Sequence, residues 1–252
     1  MNTLNLDKKY RLSPFYSRQS SFSAKFAHYE NNWILAEAFF DNNKESQALK
    51  HVAIADISNV GKMIINCSDF NLYKKFFGLV GDYKPGKILI GEDKTFRDDL
   101  PDTVTDSIYC VLTNDLCLLL YDEKQNSVVE SHIADVKTGI HNDAEKFTYD
   151  IYFTDVSSVY CGLYLLGPDS ISILSRLTEF DLSSKFSSAY VSLANVQCIL
   201  LNQNMNDILG YQLYFERSYG EYIWDAIFNS GKDYNLTPIG GKTLKNIGWK
   251  WL

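Results

Sequence analysis

Gly210–Gly231 reads GYQLYFERSYGEYIWDAIFNSG, a strand-like alternation that hands over to an amphipathic helix with no linker between them. Tyr211, Leu213 and Phe215 alternate with Gln212, Tyr214 and Glu216, the period-two pattern of a strand with two chemically different faces. Ser218 stands three residues before Glu221, the spacing of a reciprocal capping box, and Ile223, Trp224, Ile227 and Phe228 recur at helical spacing. Gly231 offers a residue free to take positive φ and end that helix. One strand face and one helix stripe must be buried together, which calls for a packed α+β core. Gln212 falls on the more polar strand face, and whether it lines a pocket decides the functional reading.

Working backwards, AYVSLA and VQCILLN supply two further strands, and Gly167 and Pro168 open a helix, DSISILSRLTEF, after the strand run VSSVYCGLYLL. From Val159 the order is strand, helix, strand, strand, strand, helix. A split β-α-β arrangement of ferredoxin-like kind, helices on one side of an antiparallel sheet, accommodates that order. SIYCVL and LCLLLYDE, joined by Thr113, Asn114 and Asp115, predict a central hairpin, and FTYDIYF alternates as a strand. VAIADIS and KMIIN, separated by Asn59, Val60 and Gly61, predict a second hairpin. Asn43–His51 predicts a short helix, and Ser68 caps another over DFNLYKKFF. Asp82–Asp106 is loop-rich and acidic, a surface connection or a ligand-facing loop. Neither a low-complexity linker nor a repeat divides the chain. The expectation is one module over 1–252, with room for two intertwined subdomains at about 1–155 and 156–252.

A net charge of −7 with no dense Lys/Arg run argues against nucleic acid as a partner. The polar N-terminus lacks a secretory apolar core, and no stretch approaches a membrane span, so no membrane partner and a cytoplasmic location are expected. Cys67, Cys110, Cys117, Cys161 and Cys198 are scattered through mostly apolar runs without CxxC pairing, which predicts buried free thiols and no metal.

The catalytic inventory is thin: there is no dinucleotide fingerprint, phosphate loop, HExxH or nucleophile elbow. His28, His51, His132 and His141 lie far apart with nothing ligand-like beside them. Asp98, Asp99, Asp102 and Asp106 form the densest carboxylate group but lack the glycine and terminal glutamate of a calcium loop. Asp106 differs in preceding the apolar strand SIYCVL; there it either caps the strand end or, partly desolvated, exchanges a proton or holds a basic nitrogen.

Six spaced segments together resemble the N-terminal part of the glycine cleavage T-protein, or aminomethyltransferase, superfamily. They are RLSPFYSRQSSFSAKFAHYENNW, HVAIADISNVGKMIINCSD, DYKPGK, LYLLGPDSISILSRLT, the opening GYQLYFERSYGEYIWDAIFNSG and NLTPIGGKTLKNIG, in order from Arg11 to Gly248. The resemblance implies an α+β scaffold that binds tetrahydrofolate or a similar flat heterocycle and carries out one-carbon transfer from an amine. It places Asp106 as the acid/base residue near the folate nitrogens, with Gln212 at the pterin-gripping glutamate and Tyr211 beside it. It also puts Asn202 at an arginine, Val60 at a methionine, Ile90 at a tyrosine and Ile208 at a second glutamate of the family pattern. A carboxylate accepts from two pterin N–H groups at once, whereas an amide offers one acceptor and sets an NH₂ against a donor. The chain ends where the family continues into a C-terminal β-barrel, so the alternative implied is a non-catalytic subunit docking onto a partner oxidase or barrel domain.

Overall fold

The structure, a computed structural model, describes residues 9–68, 77, 84–90, 107–142 and 150–252, with the backbone alone at 89, 90 and 139–142. The segments are β1 (Arg11–Leu12), α1 (Tyr16–Ser21), β2 (Lys25–His28), β3 (Trp33–Ala38), α2 (Asn42–Ala48), β4 (Ala53–Asp56), β5 (Gly61–Asn66) and β6 (Ile88–Ile90). There follow β7 (Ile108–Val111), β8 (Leu116–Tyr121), α3 (Asn126–Asn142), β9 (Tyr152–Asp155), β10 (Tyr160–Leu166) and α4 (Ser170–Leu174). The chain continues through β11 (Ser188–Leu193), β12 (Val196–Asn202), β13 (Gly210–Glu216), α5 (Gly220–Ser230), β14 (Thr237–Ile239) and α6 (Gly241–Asn246).

Two sheets carry the architecture, ordered β11-β12-β13-β10-β4-β14 and β6-β7-β8-β5-β9, and neither closes into a barrel. A small sheet, β1-β3-β2, lies outside them. Every pairing in the two large sheets is antiparallel except β4 with β14. The α5 crossover therefore joins parallel strands β13 and β14 with β10 and β4 lying between them, a split β-α-β unit. This is the α+β scaffold with antiparallel sheets that the sequence predicts.

Strand periodicity sorts side chains into layers. Tyr211, Leu213 and Phe215 of β13 pack with Ile173 and Leu174 of α4 and with Ile223, Trp224 and Ile227 of α5. The opposite face of that sheet, with Tyr164, Leu166, Ile199 and Tyr214, meets Ile108, Cys110, Leu118 and Leu120 of the second sheet. Beyond it, Met63, Ile65, Tyr109 and Leu119 cover Val129, Ile133 and Val136 of α3. The order is thus helices, sheet, sheet, helix, and all five cysteines are buried within it.

The hairpin β7–β8 forms as the sequence predicts. The proposed β4–β5 hairpin does not: β4 pairs with β10 and β14, β5 with β8 and β9, and Ile57–Val60 carries the chain from one sheet to the other. Both runs are buried on nearly every residue, so two apolar strands beside a short turn leave the choice of partner open. The capping box is also corrected. A 3₁₀ turn, Arg217–Tyr219, intervenes, no side chain caps α5, and the Ser218 hydroxyl donates to Glu216 Oε1 at 2.8 Å. Gly231 ends α5 at φ −88°, outside the left-handed region; Gly167, by contrast, takes positive φ, +111°, turning β10 into α4. The helix predicted over DFNLYKKFF lies outside the described residues apart from Phe77.

A buried carboxylate fixes the β14–α6 corner. Glu45 is 1% exposed; its Oε1 accepts from the N–H groups of Phe39 and Phe40, and its Oε2 from Gly240 N–H and the Thr243 hydroxyl. Four donors satisfy one charge, which is what its removal from water requires.

Candidate functional site

Gln212 lies on the inter-sheet face of β13 and is 0% exposed. Its Oε1 accepts from the Tyr214 hydroxyl at 2.6 Å, and its Nε2 donates to Gln203 Oε1 at 2.8 Å. Tyr164, cross-strand from Gln212, donates its hydroxyl to the Gln203 carbonyl at 2.7 Å. Trp249 packs edge-on to Tyr164, with ring centroids 5.5 Å apart, and Trp251 packs on Trp249 at 5.4 Å. Asn59 Nδ2 and Lys124 Nζ hold this terminal stretch through the Trp251 and Leu252 carbonyls, each at 2.7 Å. On the strand face that reads as polar in sequence, Gln212 and Tyr214 are therefore sealed and bonded to one another, while Glu216 at the strand end stays exposed.

The other residues singled out in the sequence divide between surroundings. Val60, 1% exposed, shares the inter-sheet core with Tyr214 and Tyr164. Tyr211 is buried on the opposite face, against the helix layer, where burial raises its phenol pKa. Asn202, at the end of β12, is half-buried and lines a depression of ≈ 390 Å³ with Ile88, Ser187, Gln203 and Asn204. Ile90 ends β6, paired with Ile108. Asp106 lies outside the described residues, immediately before the buried Ser107. Ile208, half-buried, pairs with Met205 in an isolated bridge. Gln212 is thus linked to Asn202 through Gln203, which bonds the first and lines the depression beside the second.

A second polar cluster brackets the crossing from β4 to β5. Asp56 accepts from Gln19 Nε2 and from the Ser58 N–H, both at 2.9 Å; burial raises its pKa, against hydrogen bonds from Ser13, Ser58 and Gln19. Lys62, 0% exposed, donates to the Ser58 and Val60 carbonyls at 3.0 and 2.5 Å. Burial holds its ammonium pKa down at about 8, with the nearby Glu123 charge pulling the other way. Sequence reading passed over Gln203, Tyr214 and Lys62. The one available signal was a lysine inside the apolar strand KMIIN, which has to find buried acceptors.

Around Gln212 the described groups are neutral amides and phenols, with burial raising the pKa of both Tyr164 and Tyr214. Such an array can read donors and acceptors but supplies no charge. Among the described residues no group of three or more His, Cys, Asp or Glu comes together to hold a metal. No described helix is long and apolar enough to cross a membrane.

The family model of the GCVT N-terminal domain matches residues 15–247. The chain belongs to that family. Among its relatives, the aminomethyltransferase of Desulforamulus reducens is 24% identical over 246 residues, 90% of this chain and 60% of that protein. The aminomethyltransferase of Bacillus velezensis is 26% identical over 235 residues, with the same coverage. This GCVT domain therefore spans about 60% of the length of those enzymes. Its fold matches the aminomethyltransferase T of the Bartonella henselae glycine cleavage system at TM-score 0.70, with 13% identity over 93% of this chain and 61% of that one. It also matches a chain of the heterotetrameric sarcosine oxidase of Corynebacterium sp. U-96 at TM-score 0.59 and 13% identity, covering 89% of this chain and 96% of that one.

Proposed function

We propose that this GCVT domain acts as an accessory module, docking onto a partner oxidase or barrel domain, with its tetrahydrofolate grip weakened or lost. The observation that carries the reading is the closed amide pair: Gln212 is fully buried, and Tyr214 and Gln203 occupy both ends of its amide. In this arrangement position 212 does not fit a pterin edge, because the side chain is 0% exposed and a ligand group could reach it only by displacing the packing around it. Replacing a charged bidentate acceptor by an amide forfeits roughly 1.5–3 kcal/mol, or about 10- to 150-fold in affinity. The similarity in fold to a chain inside a multi-chain oxidase supports the accessory role.

Trp249 and Trp251, beside Tyr164, place a fluorescence reporter next to the amide pair. Titration with tetrahydrofolate, followed by tryptophan emission, is expected to show no saturable change at high micromolar ligand. Saturation at low micromolar concentration would overturn the reading.

A second reading, a tetrahydrofolate-dependent aminomethyltransferase or demethylase with Asp106 beside the amine, has one observation in its favour: Gln203 links the amide pair to the depression lined by Asn202. Folate-dependent turnover by the isolated chain, lost on Asp106→Asn, would establish it.

A further inference from the structure

The chain from Lys84 to Lys87 makes a tight turn with Pro85 and Gly86 at its centre, Gly86 at φ +86° and Lys87 N–H donating to the Lys84 carbonyl at 3.2 Å. Both large sheets hold that turn. On the β7 side, Gly86 N–H donates to Val111 O and Val111 N–H to Lys87 O, each at 2.9 Å. On the β11 side, the Gly86 carbonyl accepts from Ser187 and Ser188 N–H at 2.7 and 3.0 Å. The Ser188 hydroxyl, on a residue that is 0% exposed, reaches the carbonyls of Val111 and Lys87 at 3.0 and 3.2 Å. Lys84 and Lys87 are therefore carried on a rigid clasp, and Lys185 precedes the docked Ser187 on its other side.

A depression of ≈ 570 Å³ opens over the clasp, lined by Lys84, Lys87 and Lys185 with Ser184 and Phe186. It meets the ≈ 390 Å³ depression at Ser187 and Asn202, which line both. Among the described residues no carboxylate lines either one, in a chain whose net charge is −7. The neighbouring Asp181 is engaged elsewhere, its Oδ1 accepting from the N–H and the hydroxyl of Ser183 at 3.0 and 2.6 Å. Lys87 and Lys185 are exposed and form no ion pair among the described residues. The side-chain amide of Asn202 and the Nε2 of Gln203 likewise bond to no described group. Like charges gathered on a rigid rim repel one another, and a bound anion relieves that repulsion. The lining is thus rich in positive charge and free donors and lacks a charged acceptor.

We propose that the joined depressions bind a small polyanion, a ligand carrying at least two carboxylate or phosphate groups. Lys87 and Lys185 take the charges, and the amides of Asn202 and Gln203 donate to the polar remainder. The combined space suits a small molecule. Gln203 can take this part with its bond to Gln212 intact, so the site needs no opening of the amide pair and its test stands apart from the folate titration.

Isothermal titration calorimetry of the full chain at low ionic strength uses citrate and inorganic pyrophosphate as probes, with acetate at matched ionic strength as the control. Citrate or pyrophosphate is expected to bind saturably at one site with a submillimolar Kd, and the tighter of the two names the group recognised. Lys87→Gln and Lys185→Gln should each weaken that binding by about 5-fold or more. Lys232→Gln, which removes an exposed charge outside the lining, should leave it unchanged. All three variants should keep the native melting curve, since the side chains removed are exposed. In the wild-type chain, amide NMR shifts induced by the probe should centre on Gly86, Lys185 and Ser187, which locates the site without any variant. No saturation at millimolar probe, acetate binding as tightly as the polyanions, shifts centred elsewhere, or equal affinity in wild type and both lysine variants would overturn the proposal. Equal weakening by Lys232→Gln would overturn it too, in favour of diffuse attraction to net charge.

Discussion

Gln212→Glu introduces the carboxylate that the family resemblance implies for this position and probes the seal around it. The new oxygen would face Gln203 Oε1 at the 2.8 Å now spanned by an N–H···O bond, so Gln203 must turn its amide to donate. Tyr214 goes on donating to the other oxygen. With both bonds restored, the remaining cost is the charge, at a position that is 0% exposed. A hundredfold rise in the carboxyl's proton affinity corresponds to about 2.7 kcal/mol. The sign follows from linkage: the folded-state carboxyl holds its proton more tightly, so the variant is fully stable below the usual glutamate range and loses stability as pH rises through the folded-state value. The gap to wild type should be near zero at about pH 4 and reach about 2.7 kcal/mol at about pH 8. For a chain of this length that is a fall of about 5–11 °C in Tm. Urea and thermal melts of both proteins at the two pH values measure it. A gap that does not change with pH would mean that water reaches position 212, and the sealed-pair argument would fail. Titration of the same variant with tetrahydrofolate tells the readings apart, since affinity should rise by about 10- to 150-fold if a pterin sits there and stay unchanged otherwise.

Other perturbations test the surrounding framework. Tyr214→Phe strips the donor from Gln212 Oε1 and should cost about 1–3 kcal/mol by denaturant melt, the penalty for an unsatisfied buried acceptor. Glu45→Gln presents an NH₂ to backbone and hydroxyl donors around a buried carboxylate and should cost about 2–4 kcal/mol, freeing the β14–α6 corner to exchange amide hydrogens earlier. Lys62, held at about 8 against a reference of 10.5, binds its proton less well folded than unfolded, so wild-type stability should climb as pH rises between those values. Lys62→Met should flatten that climb by about 3 kcal/mol in melts across the window.

Much of the scaffold is legible from local pattern because its strands sit between short turns. The β7–β8 hairpin, the strands β11 and β12 and the β13–α5 unit follow from runs whose partners are adjacent in sequence. The β4–β5 crossing was not legible. Its two runs are buried on both faces, so neither carries an alternation that would assign it to one sheet. The α5 cap was not legible because the 3₁₀ turn Arg217–Tyr219 moves the helix start past Ser218, whose hydroxyl donates to Glu216 instead.

The same division runs through the candidate site. Sequence alone determined the α+β class and the family, and set a glutamine at position 212 of the predicted strand, since each rests on residue identity and local period. Tertiary structure decided where that glutamine sits and what it bonds. Its bond to Tyr214 is short-range, but Gln203 lies nine residues away, and the cover from Trp249 and Trp251 arrives only when the terminal stretch packs on Tyr164. A polar residue on a strand is equally compatible with a pocket wall or a buried network; which one it joins depends on desolvation by segments distant in sequence, and that is settled only when the chain packs.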